Sequence, residues 1–137
     1  MNKEELKKIM PHREPMLLMD EIEFSEADNT AVGTVTIRGD EFFVQGHYPG
    51  NPIVPGVMLC EMAAQTCVVL FADKLAGKTP LFTGINNVKF RQPVKPGDTV
   101  TFKCVIDRVK EPFYFTSGKA YVNDKLCMSG EFSFAAV

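Results

Sequence analysis

The longest apolar pattern in the chain covers residues 56–76, has no Gly or Pro inside it, and predicts a long helix. Pro55 precedes it, where a missing N–H costs little, and Gly77 follows it, where a left-handed cap is favoured. Apolar residues fall on nearly every side: Val57, Met58, Leu59, Met62, Ala63, Ala64, Val68, Val69, Leu70 and Phe71. A surface helix would carry a polar stripe, so this pattern predicts a helix in the middle of the fold. Strand patterns surround it. Residues 16–24 are apolar and then alternating, and residues 30–38 alternate throughout. Beyond Lys78 come four more strand candidates at 81–91, 99–108, 114–122 and 125–135. Asn123-Asp124 and Pro96-Gly97-Asp98 are turn signals between them. Strand follows strand there without a helix between, which predicts an antiparallel sheet. Residues 2–10 predict a short helix, capped by Asn2, with Glu4 and Glu5 in its first turn and Pro11 ending it. A helix apolar on all sides needs cover on all sides. The pattern therefore predicts an α+β fold in which a strongly curved antiparallel sheet of about six strands wraps a long central apolar helix.

The chemistry concentrates where the helix begins. Residues 46–56 hold three glycines and three prolines and read as an ordered loop, and His47 stands in it. Two polar side chains, Glu61 and Gln65, interrupt the apolar helix four residues apart, hence on one face. A buried carboxylate is costly unless it is paired or its charge is put to use. The plain alternative is a partly exposed Glu61 favoured by the helix dipole. Its company argues for chemistry: a histidine on a rigid loop, free N–H groups at the helix start around Gly56 and Val57, and a carboxyl one turn further. Those are a base, an anion site and an acid. Gln65 has two readings, as a group orienting the acid or the leaving water, and as a buried amide paired with backbone. His12, beside prolines, reads as a loop-packing residue, and Arg13 as a holder of loop carbonyls or a carboxylate.

Composition narrows the field. The 137 residues make one domain, 45% hydrophobic and 23% charged, ordinary for a soluble globular protein. A net charge of −2 and a pI near 5.7 argue against a nucleic-acid partner. The start, MNKEELKK, lacks the apolar core of a signal peptide, and no stretch reaches the ~18 uninterrupted apolar residues of a membrane span. Cys60, Cys67, Cys104 and Cys127 show no C-x-x-C spacing and read as small hydrophobes in a reducing cytosol, with no metal ligation.

The residues His47, Tyr48, Pro49, Pro52, Pro55, Gly56, Val57, Glu61, Ala64 and Gln65 together resemble the active-site signature of the (3R)-hydroxyacyl-[acyl-carrier-protein] dehydratases of FabZ type. IMPHREPMLLMDEI at 9–22 and KFRQPVKPGD at 89–98 resemble two further blocks of that family, so the likeness runs along nearly the whole chain. FabA-type dehydratase–isomerases usually carry Asp where this chain has Glu61. Glu14 and Cys60 depart from the usual residues. The resemblance implies a hot-dog fold and a homodimer whose sheets join edge to edge, with three dimers making a hexamer. It also implies that His47 and Glu61 meet across the dimer interface, and that the substrate is an acyl chain on acyl carrier protein.

The reaction sets its own demands. Removing water from a 3-hydroxyacyl thioester requires a base near neutral pKa, which His47 supplies. The leaving hydroxide must be protonated as it departs, and Glu61 in its apolar helix is the candidate acid. Charge gathering on the thioester oxygen needs N–H donors, offered at Gly56 and Val57; one such donor is typically worth ~3–4 kcal/mol of barrier. Met58, Met62, Phe82, Ile85, Phe90 and Phe102 are candidates to line an acyl tunnel, and also plain core residues. Lys89, Arg91 and Lys95 are candidates for a carrier-protein contact, or a solvated face. No cofactor is expected, since elimination of water transfers no electrons and no G-x-G-x-x-G motif is present. Three other readings remain at this stage: a dehydratase that also isomerises trans-2 to cis-3, a hot-dog thioesterase, and a non-catalytic acyl-binding protein.

Overall fold

The alternating stretches form strands whose inner faces carry the apolar residues. The computed structural model describes residues 1–46 and 50–137. Its strands are β1 (Glu21–Ser25), β2 (Thr30–Thr36), β3 (Pro80–Phe90), β4 (Thr99–Lys110), β5 (Phe113–Val122) and β6 (Lys125–Ala136). They form one six-stranded sheet in the order β1-β2-β4-β5-β6-β3. All neighbours run antiparallel. On β4, Val100, Phe102 and Cys104 are buried; on β6, Met128, Phe132 and Phe134 are. Thr101 and Lys103 on β4, and Glu131 and Ser133 on β6, alternate with them and are less buried, which is the period of two that the sequence displays. Asn123 and Asp124 join β5 to β6 with φ of 51° and 63°, the paired positive values of a tight hairpin turn.

The helices are α1 (Lys3–Leu6), α2 (Phe42–Gln45) and α3 (Gly56–Val68). Leu59, Cys60, Met62, Ala63, Ala64, Gln65, Thr66, Cys67 and Val68 of α3 are all buried, so the central helix is as expected. It crosses β2 at Gly33, where a Cβ would lie 2.4 Å from Thr66 Oγ1 and 2.8 Å from Met19 Cε. Only glycine lets helix and sheet approach so closely. All four cysteines are buried and free.

Three boundaries differ from expectation, each for a physical reason. The α-helix ends at Val68 and continues as a 3-10 segment, Val69–Lys74, with a break at Phe71 (φ −129°, ψ 23°). There the Phe71 ring stacks on Tyr114 at 4.4 Å and lies 5.5 Å from Phe134. Aromatic packing there outweighs continuation of the helix. The first strand begins at Glu21 rather than at 16, because Leu17, Leu18 and Met19 are all buried and cannot alternate. The backbone of this stretch bonds instead to the side chains of Lys3 and Gln65. α1 keeps its Asn2–Glu5 capping box but loosens after Leu6, with Lys8 and Ile9 donating to carbonyls three residues back.

Candidate active site

Glu61 sits in the second turn of α3, at the point where that helix leaves full burial. Val57, one turn earlier, is 75% exposed, while the Glu61 side chain is 24% exposed. Both sequence readings of the carboxyl hold in part: it reaches solvent, and it is paired. Gln65 Nε2 donates to Glu61 Oε2 at 2.9 Å. The amide is locked. Its second N–H donates to the Met16 carbonyl at 2.6 Å, and its Oε1 accepts from the Leu18 N–H at 2.9 Å. Gln65 is fully buried, and these three bonds fix which end of the amide faces Glu61. Gln65 therefore pairs with backbone and at the same time holds the Glu61 carboxyl, and no polar atom of it is left open to a ligand.

His12 approaches the same carboxyl oxygen. Its Nε2 lies 3.7 Å from Glu61 Oε2, and its side chain is 22% exposed. Burial pushes the imidazole below its ordinary value of 6.5; Glu61 opposes that shift and Arg13 adds to it. Arg13 ties down the loop that carries His12, donating to the carbonyls of Met10 at 3.1 Å, His12 at 2.7 Å and Lys7 at 3.2 Å. The loop-packing reading of His12 thus omits its nearest charged neighbour. No sequence spacing joins position 12 to position 61; the one available signal was that PHR falls inside a block resembling the family.

At the start of α3, Met58 and Leu59 both donate to the Pro55 carbonyl, so the N–H groups of Gly56 and Val57 lie ahead of the first intrahelical bonds. A cavity of about 520 Å³ opens there, lined by Ile53, Val54, Gly56, Val57, Leu59, Phe90, Arg91, Gln92, Pro93 and Val94. The Phe90 ring rests on Gly56, with Cζ 2.8 Å from where a Cβ would stand. A side chain at position 56 would force the ring away. Of the tunnel candidates, Met62 and Phe102 are core, Met58 is partly buried against it, and Phe82, Ile85 and Phe90 are exposed on β3. Among Lys89, Arg91 and Lys95, all exposed, Arg91 reaches the cavity lining. His47 lies outside the described residues.

A six-stranded antiparallel sheet curled round a central helix is the hot-dog fold, here with a carboxyl on that helix held by a buried amide. A family model described as ApeI dehydratase (ApeI-like) matches residues 23–131. The 3-hydroxyacyl-[acyl-carrier-protein] dehydratase FabZ of Clostridium beijerinckii is 42% identical over 139 residues, covering 98% of this chain and 98% of that protein. The FabZ of Fusobacterium nucleatum is 40% identical over 131 residues, covering 95% and 93%. Among solved structures, the dehydratase heterocomplex ApeI:P from Xenorhabdus doucetiae superposes with a TM-score of 0.82 at 18% identity, covering 96% of this chain and 90% of that one. The E. coli PaaI protein gives 0.66 at 16%, covering 84% and 81%. The chain belongs to the 3-hydroxyacyl-[acyl-carrier-protein] dehydratase family of FabZ type.

Proposed function

We propose that this protein removes water from (3R)-hydroxyacyl chains carried on acyl carrier protein, giving the trans-2-enoyl thioester in fatty-acid biosynthesis. The observation that carries this reading is the partly exposed Glu61 carboxyl on the central helix, held by a locked amide at 2.9 Å. His47 takes the proton from C2. The C2–C3 double bond forms as the C3–O bond breaks, and Glu61 gives its proton to the departing hydroxyl, which leaves as water. Charge on the thioester oxygen is met by the N–H groups of Gly56 and Val57 and by the helix dipole. Gln65 acts through Glu61. The cavity takes the acyl thioester, and Arg91 at its lining is placed for an acidic carrier protein.

The test is turnover of a 3-hydroxyacyl carrier substrate by the unmodified protein, with the position of the product double bond determined. A trans-2 product is expected. A cis-3 product would make it a dehydratase–isomerase, and no turnover of carrier-bound or coenzyme-bound substrate would overturn the reading.

The working unit we propose is a dimer joined along β3. β3 is an edge strand, and Phe82, Ile85 and Phe90 stand opposite the buried Phe134, Phe132 and Met128 in register. They therefore share the inner face, yet they are 38%, 51% and 52% exposed. An uncovered apolar edge of this kind is normally hidden against a partner. In the family arrangement this brings His47 of one subunit to Glu61 of the other, and three such dimers make a hexamer. Ile85→Lys is expected to shift the protein to monomer in sedimentation and to lower turnover with it. A variant that stays associated as before would place the interface elsewhere.

A further inference from the structure

We propose that His12 is a positioning residue that, together with Gln65, holds Glu61 Oε2 as the acceptor oxygen, so that the proton delivered to the leaving hydroxyl sits on Oε1. This rests on the dehydratase reading above and adds to it which oxygen does the work and what keeps it so.

A carboxylic acid has one O–H oxygen and one acceptor oxygen. Gln65 Nε2 cannot turn away from Oε2, because its other two bonds to the backbone of Met16 and Leu18 fix it. His12 Nε2 faces the same oxygen at 3.7 Å. That distance is longer than a formed hydrogen bond, and for His12 to act on Oε2 it must shorten when substrate binds. His12 Nδ1 is buried and has no hydrogen-bond partner among the described residues. A neutral imidazole has a single N–H, and an orphaned buried N–H is rarer than an orphaned acceptor. The N–H therefore belongs on Nε2, pointing at Oε2. With one N–H bonded to Oε2 and a second N–H 3.7 Å from it, a proton is disfavoured on that oxygen, so Oε1 carries it. Once Oε1 has given its proton, the same two donors receive the charge that appears on the carboxylate. Arg13 holds the backbone that carries the ring, donating to the carbonyls of Lys7, Met10 and His12.

Three substitutions separate this from simple packing. His12→Phe keeps a ring without nitrogens. His12→Gln places an amide N–H near the Nε2 position, and His12→Asn has one too short to reach. With Phe and Asn, kcat is expected to fall about 10–100-fold with KM within about threefold, and Gln is expected to restore most of the loss. In a Glu61→Gln background, which has no acid proton to place, His12→Phe should lower the remaining turnover less than about twofold. An equal loss in both backgrounds, or Gln falling as far as Asn, overturns the proposal. If His12→Phe does not fold, the Gln and Asn pair decides alone. A second readout needs no turnover: 15N spectra of the unmodified protein at neutral pH should show His12 as the Nε2–H tautomer, and an Nδ1–H or charged ring would refute it. An inactive protein with an Nε2–H His12 would thus count against the dehydratase reading and leave the placement of the ring standing.

Discussion

Replacing Glu61 by glutamine, or His47 by alanine, is expected to lower turnover of a 3-hydroxyacyl carrier substrate by at least ~100-fold while the protein stays folded. Glu61→Gln is the sharper of the two. The new amide matches the carboxyl in shape, and its oxygen can still accept from Gln65 Nε2, now 2.9 Å from Glu61 Oε2. What it lacks is a proton to give. Hydroxide would then have to leave unprotonated, which removes the contribution of the general acid, typically 10²–10⁴-fold. Since base and acid act on one transition state, the double variant should fall little further than the worse single one. Melting curves close to that of the unmodified protein are part of the expectation. Glu61→Gln retaining more than about a tenth of the activity would remove Glu61 from the acid role.

The second large effect is on Gln65. Gln65→Leu is expected to destabilise the fold by about 2–4 kcal/mol, and to depress kcat as well. Leucine fills similar space but leaves the Leu18 N–H and the Met16 carbonyl without their partners. Each buried polar group left unpaired costs about 1–3 kcal/mol. The same substitution frees Glu61 Oε2, so the loss of rate is expected even where the variant is fully folded. Denaturant unfolding at fixed protomer concentration measures the first effect, and kcat at saturating substrate the second. A variant with unchanged midpoint and unchanged kcat would show that the buried amide neither ties α3 to the residues before β1 nor orients the acid.

Much of this was legible in advance because the signals are local. Periods of two and of 3.6 residues reveal which faces need burial, and so the strands after Lys78 and the apolar helix could be placed from sequence. Glu61 and Gln65 are one helical turn apart, so their contact follows from spacing alone. The run Leu17-Leu18-Met19 departs from its strand pattern for the opposite reason. Apolar residues in a row fit a strand pattern, but what pairs with their backbone is the side chain of Gln65, far along the chain. Likewise the break at Phe71 is decided by Tyr114 and Phe134, which come from β5 and β6.

The sequence by itself determined which residues are proposed for the site: Glu61 in an apolar helix, Gln65 one turn on, Gly56 at the helix start, and His47 ahead of it in the chain. It also determined the alternation that makes the sheet. Only the tertiary structure decided that His12 faces Glu61, that Gln65 is locked by the backbone of residues 16–18, and that Phe90 covers Gly56. Those contacts join segments whose separation along the chain leaves no periodic trace, so they exist only once the sheet has curled round the helix.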